Sequence, residues 1–188
     1  MRIGRGWVPF LLATTAVFGR SPGAPPRAPR MDFPADLGPA TIDVSSYPAE
    51  MQNIYRTNFL KNCAVCHSPA RAIHSEFLEL PTAEAAALRA ASPTLFDDPR
   101  VLLPGPDLWK RYIKRMKMRP PCCGVCPVMS ETEARDIWRF LVFDGRIRKT
   151  GPRAGDWVRN RRALLEDFRK RFPERYRDLF ESPKEDSR

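Results

Sequence analysis

Cys63-Ala64-Val65-Cys66-His67 is the segment whose residue types and spacing point most directly to chemistry. Two thiols three positions apart lie about one helical turn from each other. At that separation both can bond the two vinyl groups carried on adjacent pyrrole edges of a haem. The residue after the second thiol then presents its imidazole to the iron from the same side. With five Cys and two His in the chain, this string would arise by chance in roughly one such composition in 700.

Cys123-Gly124-Val125-Cys126 repeats the pair spacing, and two such pairs can offer four thiolates to a tetrahedral zinc ion. The 56 residues between Cys66 and Cys123 exceed the usual zinc-ribbon spacing, and zinc leaves His67 and Cys122 without a part. A thioredoxin-like dithiol calls for a βαβ pattern, which the sequence around these thiols lacks. Haem attachment is favoured over both.

An iron held by one imidazole takes a sixth ligand or binds a small molecule. A thioether sulfur stabilises ferrous iron and raises the reduction potential, which suits electron transfer. Met116 and Met118 lie 49 and 51 residues beyond His67, a sensible length for a chain wrapping round a haem. Two positions apart on a helix, they face different sides. Met116 is favoured and Met118 is the alternative. Met129, at the next helix start, reads as packing. His74 would give a bis-histidine site, but it follows His67 by only seven residues, a tight reach to the opposite face.

The elements that must hold these residues read as helices. Ser45 and Ser46 can cap a helix beginning at Pro48. Met51, Ile54, Tyr55 and Phe59 follow at helical spacing to about Lys61 and deliver the chain to Cys63. Residues 69–105 form the longest connection, with a short helix over Thr82 to Ala91 and then a proline-punctuated loop. Asp107 can cap a helix over Leu108 to Met118. Ser130-Glu131-Thr132-Glu133 is a capping box. Ala134, Ile137, Trp138, Leu141 and Val142 form one apolar stripe behind it, and Gly145 is the expected stop. No alternating strand pattern stands out, so the expected fold class is all-α.

On these residues the chain resembles a monohaem c-type cytochrome, of the class I-like bacterial kind, over about Pro48 to Gly145. The resemblance rests on Cys63-Ala64-Val65-Cys66-His67, on WKRYIKRMKMRPP (Trp109 to Pro121) and on MSETEARDIWRFLVFDG (Met129 to Gly145). It implies the compact cytochrome c fold. It also implies one haem c, bonded to Cys63 and Cys66, with His67 as proximal ligand and Met116 (alternatively Met118) as distal ligand. The first helix, 49–61, and the last, 131–143, would cross beside the haem, with Phe59 and Trp138 as partners. The function implied is one-electron transport. Lys110, Arg111, Lys114, Arg115, Lys117 and Arg119 surround the expected methionine and would ring the haem edge with positive charge, steering a redox partner with an acidic face. The chain departs from the family after the methionines, where Pro120-Pro121-Cys122-Cys123-Gly124-Val125-Cys126-Pro127 replaces a Gly/Ser-rich turn. In an oxidising compartment three thiols imply at least one disulfide and one spare thiol, with the pairing open.

The net charge of +10 is uneven. Residues 1–30 carry five Arg and no acid, residues 31–145 are close to neutral, and residues 146–188 carry 14 basic and 8 acidic residues. Arg2 and Arg5 precede the apolar stretch Trp7 to Phe18, with small residues at Val17 and Gly19. Residues 1–19 therefore read as a secretory signal, which implies export to the periplasm or beyond. Residues 20–44, rich in Pro, Ala and Arg, read as an extended, solvated linker. Residues 45–145 are the expected cytochrome c domain and 146–188 a basic, amphipathic helical extension. There Trp157, Leu164, Leu165, Phe168 and Phe172 form a stripe flanked by Arg161, Arg162, Arg169, Lys170 and Arg171, and Tyr176, Leu179 and Phe180 follow after Pro173. The extension is expected to fold onto the body, with a peripheral contact to anionic lipid as the other reading.

No apolar run approaches the roughly 20 residues of a membrane-spanning helix. The basic residues sit on no recognisable nucleic-acid module. No acid/base pair or nucleophile constellation marks an enzyme. A haem-based sensor with an open sixth position is the alternative function, and a zinc-stabilised interaction protein the third.

Overall fold

The structure is a computed structural model that describes residues 31–64, 67–118 and 129–182. The expected signal, the start of the linker, Cys66, Arg119 and the thiols Cys122, Cys123 and Cys126 lie outside the described residues.

The described chain is mostly helical, with one small two-stranded sheet. Helix α1 (Ala49–Ile54) passes through a π-helical turn (Tyr55–Phe59) into α2 (Leu60–Cys63), so the helical run expected to end near Lys61 reaches Cys63. Ser45 and Ser46 do not cap it. Pro48 occupies the cap position, and the Ser45 N–H goes to the Asp43 carboxylate at 2.8 Å. A single turn, α3 (Ala70–Ile73), leads to β1 (Phe77–Glu79). Helix α4 (Thr82–Ala91) lies in the crossover to β2 (Leu103–Gly105), which pairs in parallel with β1, Phe77 against Leu103. This sheet departs from the all-α expectation: strands of three residues are too short to display an alternating pattern. Helices α5 (Leu108–Met118) and α6 (Glu131–Lys149) follow, and α7 (Ala154–Arg171) and α8 (Pro173–Phe180) form the C-terminal extension.

Helix α6 opens on the expected capping box: Ser130 Oγ accepts the Glu133 N–H, and the Glu133 carboxylate accepts the Ser130 N–H. It does not stop at Gly145 but continues to Lys149. A Cβ at Gly145 would stand 3.7 Å from the Leu78 side chain of β1, so the residue marks where helix and strand come together rather than a cap.

Two buried clusters organise the molecule. The first joins Met51, Ile54, Tyr55, Phe59 and Cys63 to Trp109 and Ile113 of α5 and to Ala134, Ile137, Phe140 and Leu141 of α6. Here α1–α2 and α6 pack through Phe59 and Tyr55 against Phe140, with ring centroids 5.1 and 5.2 Å apart. Trp138, the expected partner of Phe59, is instead turned toward β1. The second cluster joins Leu78, Leu80, Val101 and Leu102 to Trp157, Val158, Leu165, Phe168 and Tyr176. The extension is therefore folded onto the body, and the stripe that would have met lipid is turned inward.

Basic side chains from α6 and α7 take up the backbone carbonyls between α3 and β1. Arg148 donates to Ile73 O, Arg161 to His74 O, and Lys149 to Ser75 O and Phe77 O. Residues 31–39, expected to be solvated linker, are packed instead: Pro34, Ala35 and Asp36 are buried in a 3-10 turn (Pro34–Leu37) that leans on α3 and α7. No helix among the described residues is long and apolar enough to cross a membrane.

Candidate functional site

Cys63 ends α2, buried at 5% exposure in the first core. The helix leads it there: Phe59 and Cys63 are one turn apart and both face inward. His67 lies four residues on, half-buried in the bend before α3. Its Nδ1 is 2.9 Å from the Ser68 carbonyl. A carbonyl oxygen only accepts, so Nδ1 carries the hydrogen and the lone pair lies on Nε2. Burial pushes the imidazole below its ordinary pKa, which favours the neutral ring. A neutral ring oriented through Nδ1 is the state in which histidine binds a metal through Nε2.

Met116 is half-buried on the inner face of α5 and packs against the cluster that holds Cys63. Met129 packs against it too, as expected. Met118 is the last residue of α5. His74 is committed elsewhere: Nε2 meets the Pro39 carbonyl at 3.0 Å, and the ring stacks parallel to Trp157 in the second core's neighbourhood. Burial and the nearby Arg148 and Lys149 hold its pKa down to about 4. Thus Cys63 and Met116 share one core, whereas His74 belongs to the interface with the extension.

Ser68 and Glu79 had no signal at this site in the sequence, and Trp109 stood there only as the first residue of the WKRYIKRMKMRPP segment. Ser68 supplies the carbonyl that orients His67. Trp109 is 2% exposed, and among the described residues its Nε1–H, like that of Trp157, has no hydrogen-bond partner. A buried donor left unpaired is costly, and a carboxylate-bearing cofactor beside it would meet that need. Glu79, on β1, caps α5: its Oε2 accepts the N–H of Trp109 at 2.6 Å. Asp107, the expected cap, sits instead at φ 52°, outside the extended conformation of a cap residue.

The basic face of α5 lines two surface clefts. One, of about 310 Å³, is bounded by Pro106, Asp107, Lys110, Arg111 and Lys114. The other, of about 530 Å³, runs between α5 and α6, where Lys110, Lys114, Lys117 and Arg135 flank Ile113, Ala134 and Trp138. Lys117 is paired with Glu131, and Lys110 lies 3.6 Å from Asp107.

No group of three or more His, Cys, Asp or Glu that could hold a metal ion occurs among the described residues. Comparison with family models, with curated proteins and with solved structures finds no match to this chain.

Proposed function

We propose that this chain is an exported c-type cytochrome, a one-electron carrier with the cytochrome c fold and a helical extension packed onto it. The observation that carries the reading is the Cys63-x-x-Cys66-His67 string together with the orientation of its histidine, whose Nδ1 faces the Ser68 carbonyl at 2.9 Å. The types and spacing of these residues suit a haem. Cys63 and Cys66 would hold it covalently, His67 and Met116 (alternatively Met118) would ligate its iron, and the unpaired Trp109 Nε1–H would find an acceptor in a haem carboxylate. Bound there, haem would supply one-electron chemistry between ferric and ferrous iron.

The protein's own part is to bind, orient and exclude water. Phe59, Tyr55, Phe140 and Ile137 keep the core around Cys63 dry. Imidazole and thioether ligands suit both oxidation states, so little has to rearrange on electron transfer. Lys110, Arg111, Lys114 and Arg115 are exposed and would steer an acidic redox partner at low salt.

The test is the spectrum of protein matured in a periplasm with haem-attachment machinery. The ferric form is expected to show the weak far-red band of Met-His ligation, lost in Met116→Leu and kept in Met118→Leu. Loss in Met118→Leu alone reassigns the ligand. Avid carbon monoxide binding by the wild-type ferrous form favours the sensor instead. A colourless product rejects haem altogether.

A further inference from the structure

A buried carboxylate is costly unless its oxygens are satisfied, and Glu79 is only 8% exposed. Its two oxygens are divided between two helices. Oε2 accepts the backbone N–H of Trp109 at 2.6 Å and of Lys110 at 3.3 Å, at the first turn of α5. Oε1 accepts Nε1–H of Trp138, in α6, at 2.8 Å. Glu79 itself closes β1, so one side chain ties a strand to two helices. Helix N-termini leave N–H groups without intrahelical partners, and a carboxylate there also complements the helix dipole. Asp107 is not the substitute, since its carboxylate faces Lys110 Nζ.

The inner face of α5 consists of Trp109, Tyr112, Ile113 and Met116, spaced i, i+3, i+4 and i+7, and all four lie in or against the first core. Met116 is thus on the face whose first residue Glu79 holds, about 10 Å along the axis at 1.5 Å per residue. A shift or tilt of the first turn would carry the methionine with it.

We infer that Glu79 is the positioning residue for the axial methionine: by holding the first turn of α5 against α6 it keeps Met116 in place and slows its replacement by outside ligands. The inference rests on the haem reading above.

The test uses the full-length ferric protein with haem attached, titrated with imidazole, which competes for the sixth position. Glu79→Gln keeps the size of the side chain but sets an amide NH2 against at least one of its three donors. Its apparent imidazole affinity is expected to rise about tenfold, as for loss of a hydrogen bond to a charged group. Trp138→Phe removes the donor on Oε1, so in the double variant the amide oxygen can stay on the Trp109 N–H. Affinity there is expected to return to within about threefold of Trp138→Phe alone. A side chain that only fills space gives no such rescue. An unchanged affinity in Glu79→Gln, or no return in the double variant, overturns the role of Glu79 and leaves the haem reading standing. Protein without covalent haem overturns both. Should Glu79→Gln fail to accumulate, amide hydrogen exchange on the wild type decides. The Trp109 and Lys110 amides are expected to be protected about 100-fold or more, although first-turn amides ordinarily exchange freely. Free exchange at both overturns the inference.

Discussion

The carboxylate of Asp36 and the guanidinium of Arg71 meet at two points, Nε to Oδ1 at 2.8 Å and Nη2 to Oδ2 at 2.7 Å, with the Asp36 side chain wholly shielded from solvent. Oδ2 also accepts the N–H groups of Asp32 and Phe33, each at 2.9 Å. The pair fastens residues 32–36 to α3, the turn that follows His67. Removing one partner of a buried pair leaves an uncompensated charge. Arg71→Ala is therefore expected to cost about 3–5 kcal/mol in urea unfolding. The double variant with Asp36→Ala should cost less than the two single losses added together. Additive losses would mean that the two groups act independently.

Phe59 and Phe140 are both fully buried, and their rings meet where the α1–α2 run packs against α6. Phe59→Ala and Phe140→Ala are each expected to lose about 3–5 kcal/mol, through lost burial and the cavity left behind. Trp138→Phe, which leaves that contact intact, should lose clearly less. Equal losses for all three would mean that Trp138 carries as much of the packing as the two phenylalanines.

Gly38 stands against the His74 ring, where an added Cβ would overlap Cδ2. The ring cannot yield freely, because the Pro39 carbonyl holds Nε2 and Trp157 stacks on its face. Gly38→Ala is expected to cost about 1–3 kcal/mol, the usual range for overpacking. The cost should fall toward zero in a His74→Ala background, where thermal or urea unfolding gives the comparison. An equal cost in both backgrounds would place the strain elsewhere.

Lys149 is buried beneath Trp157, its Nζ 4.5 Å from the ring centroid. Desolvation, and then the neighbouring Arg148, push its pKa down to about 7; Asp144 and Glu76 oppose the shift, and Arg161 adds to it. In the unfolded chain the same amine titrates near 10.4. Between about pH 7 and pH 10 the unfolded state therefore binds more protons than the folded one, and this residue makes stability rise with pH across that window. Lys149→Met keeps the stem and removes the titration. Urea unfolding at pH 7, 8 and 9 should show a rise in the wild type relative to the variant. Parallel profiles would show that the ammonium stays charged when buried.

Much of the helical framework was legible because its signals are local. Helices α4 and α5 occupy the spans read from spacing and punctuation, and the Ser130–Glu133 capping box opens α6 as expected. What escaped depends on contacts distant in sequence. Glu79 caps a helix 30 residues away, and no motif announces that. Gly145 looks like a helix stop, yet α6 runs through it beside Leu78. Asp36 lies in a proline-rich stretch whose composition favours solvated chain, and only Arg71, 35 residues later, explains why it is buried. At the site, the spacing singled out Cys63, Cys66 and His67, while the partner that sets the tautomer of His67 is a backbone carbonyl, invisible to any reading of side-chain types.

Covalent haem at Cys63 and Cys66 is decided by the intact mass and absorption spectrum of the wild-type chain, compared with Cys63→Ala and Cys66→Ala, all produced with haem-attachment machinery. The wild-type mass is expected to be increased by one haem that survives acid extraction, with a Soret peak, and the single variants to show altered or lost attachment. A wild-type mass equal to that of the bare polypeptide, with no Soret peak, would contradict covalent attachment.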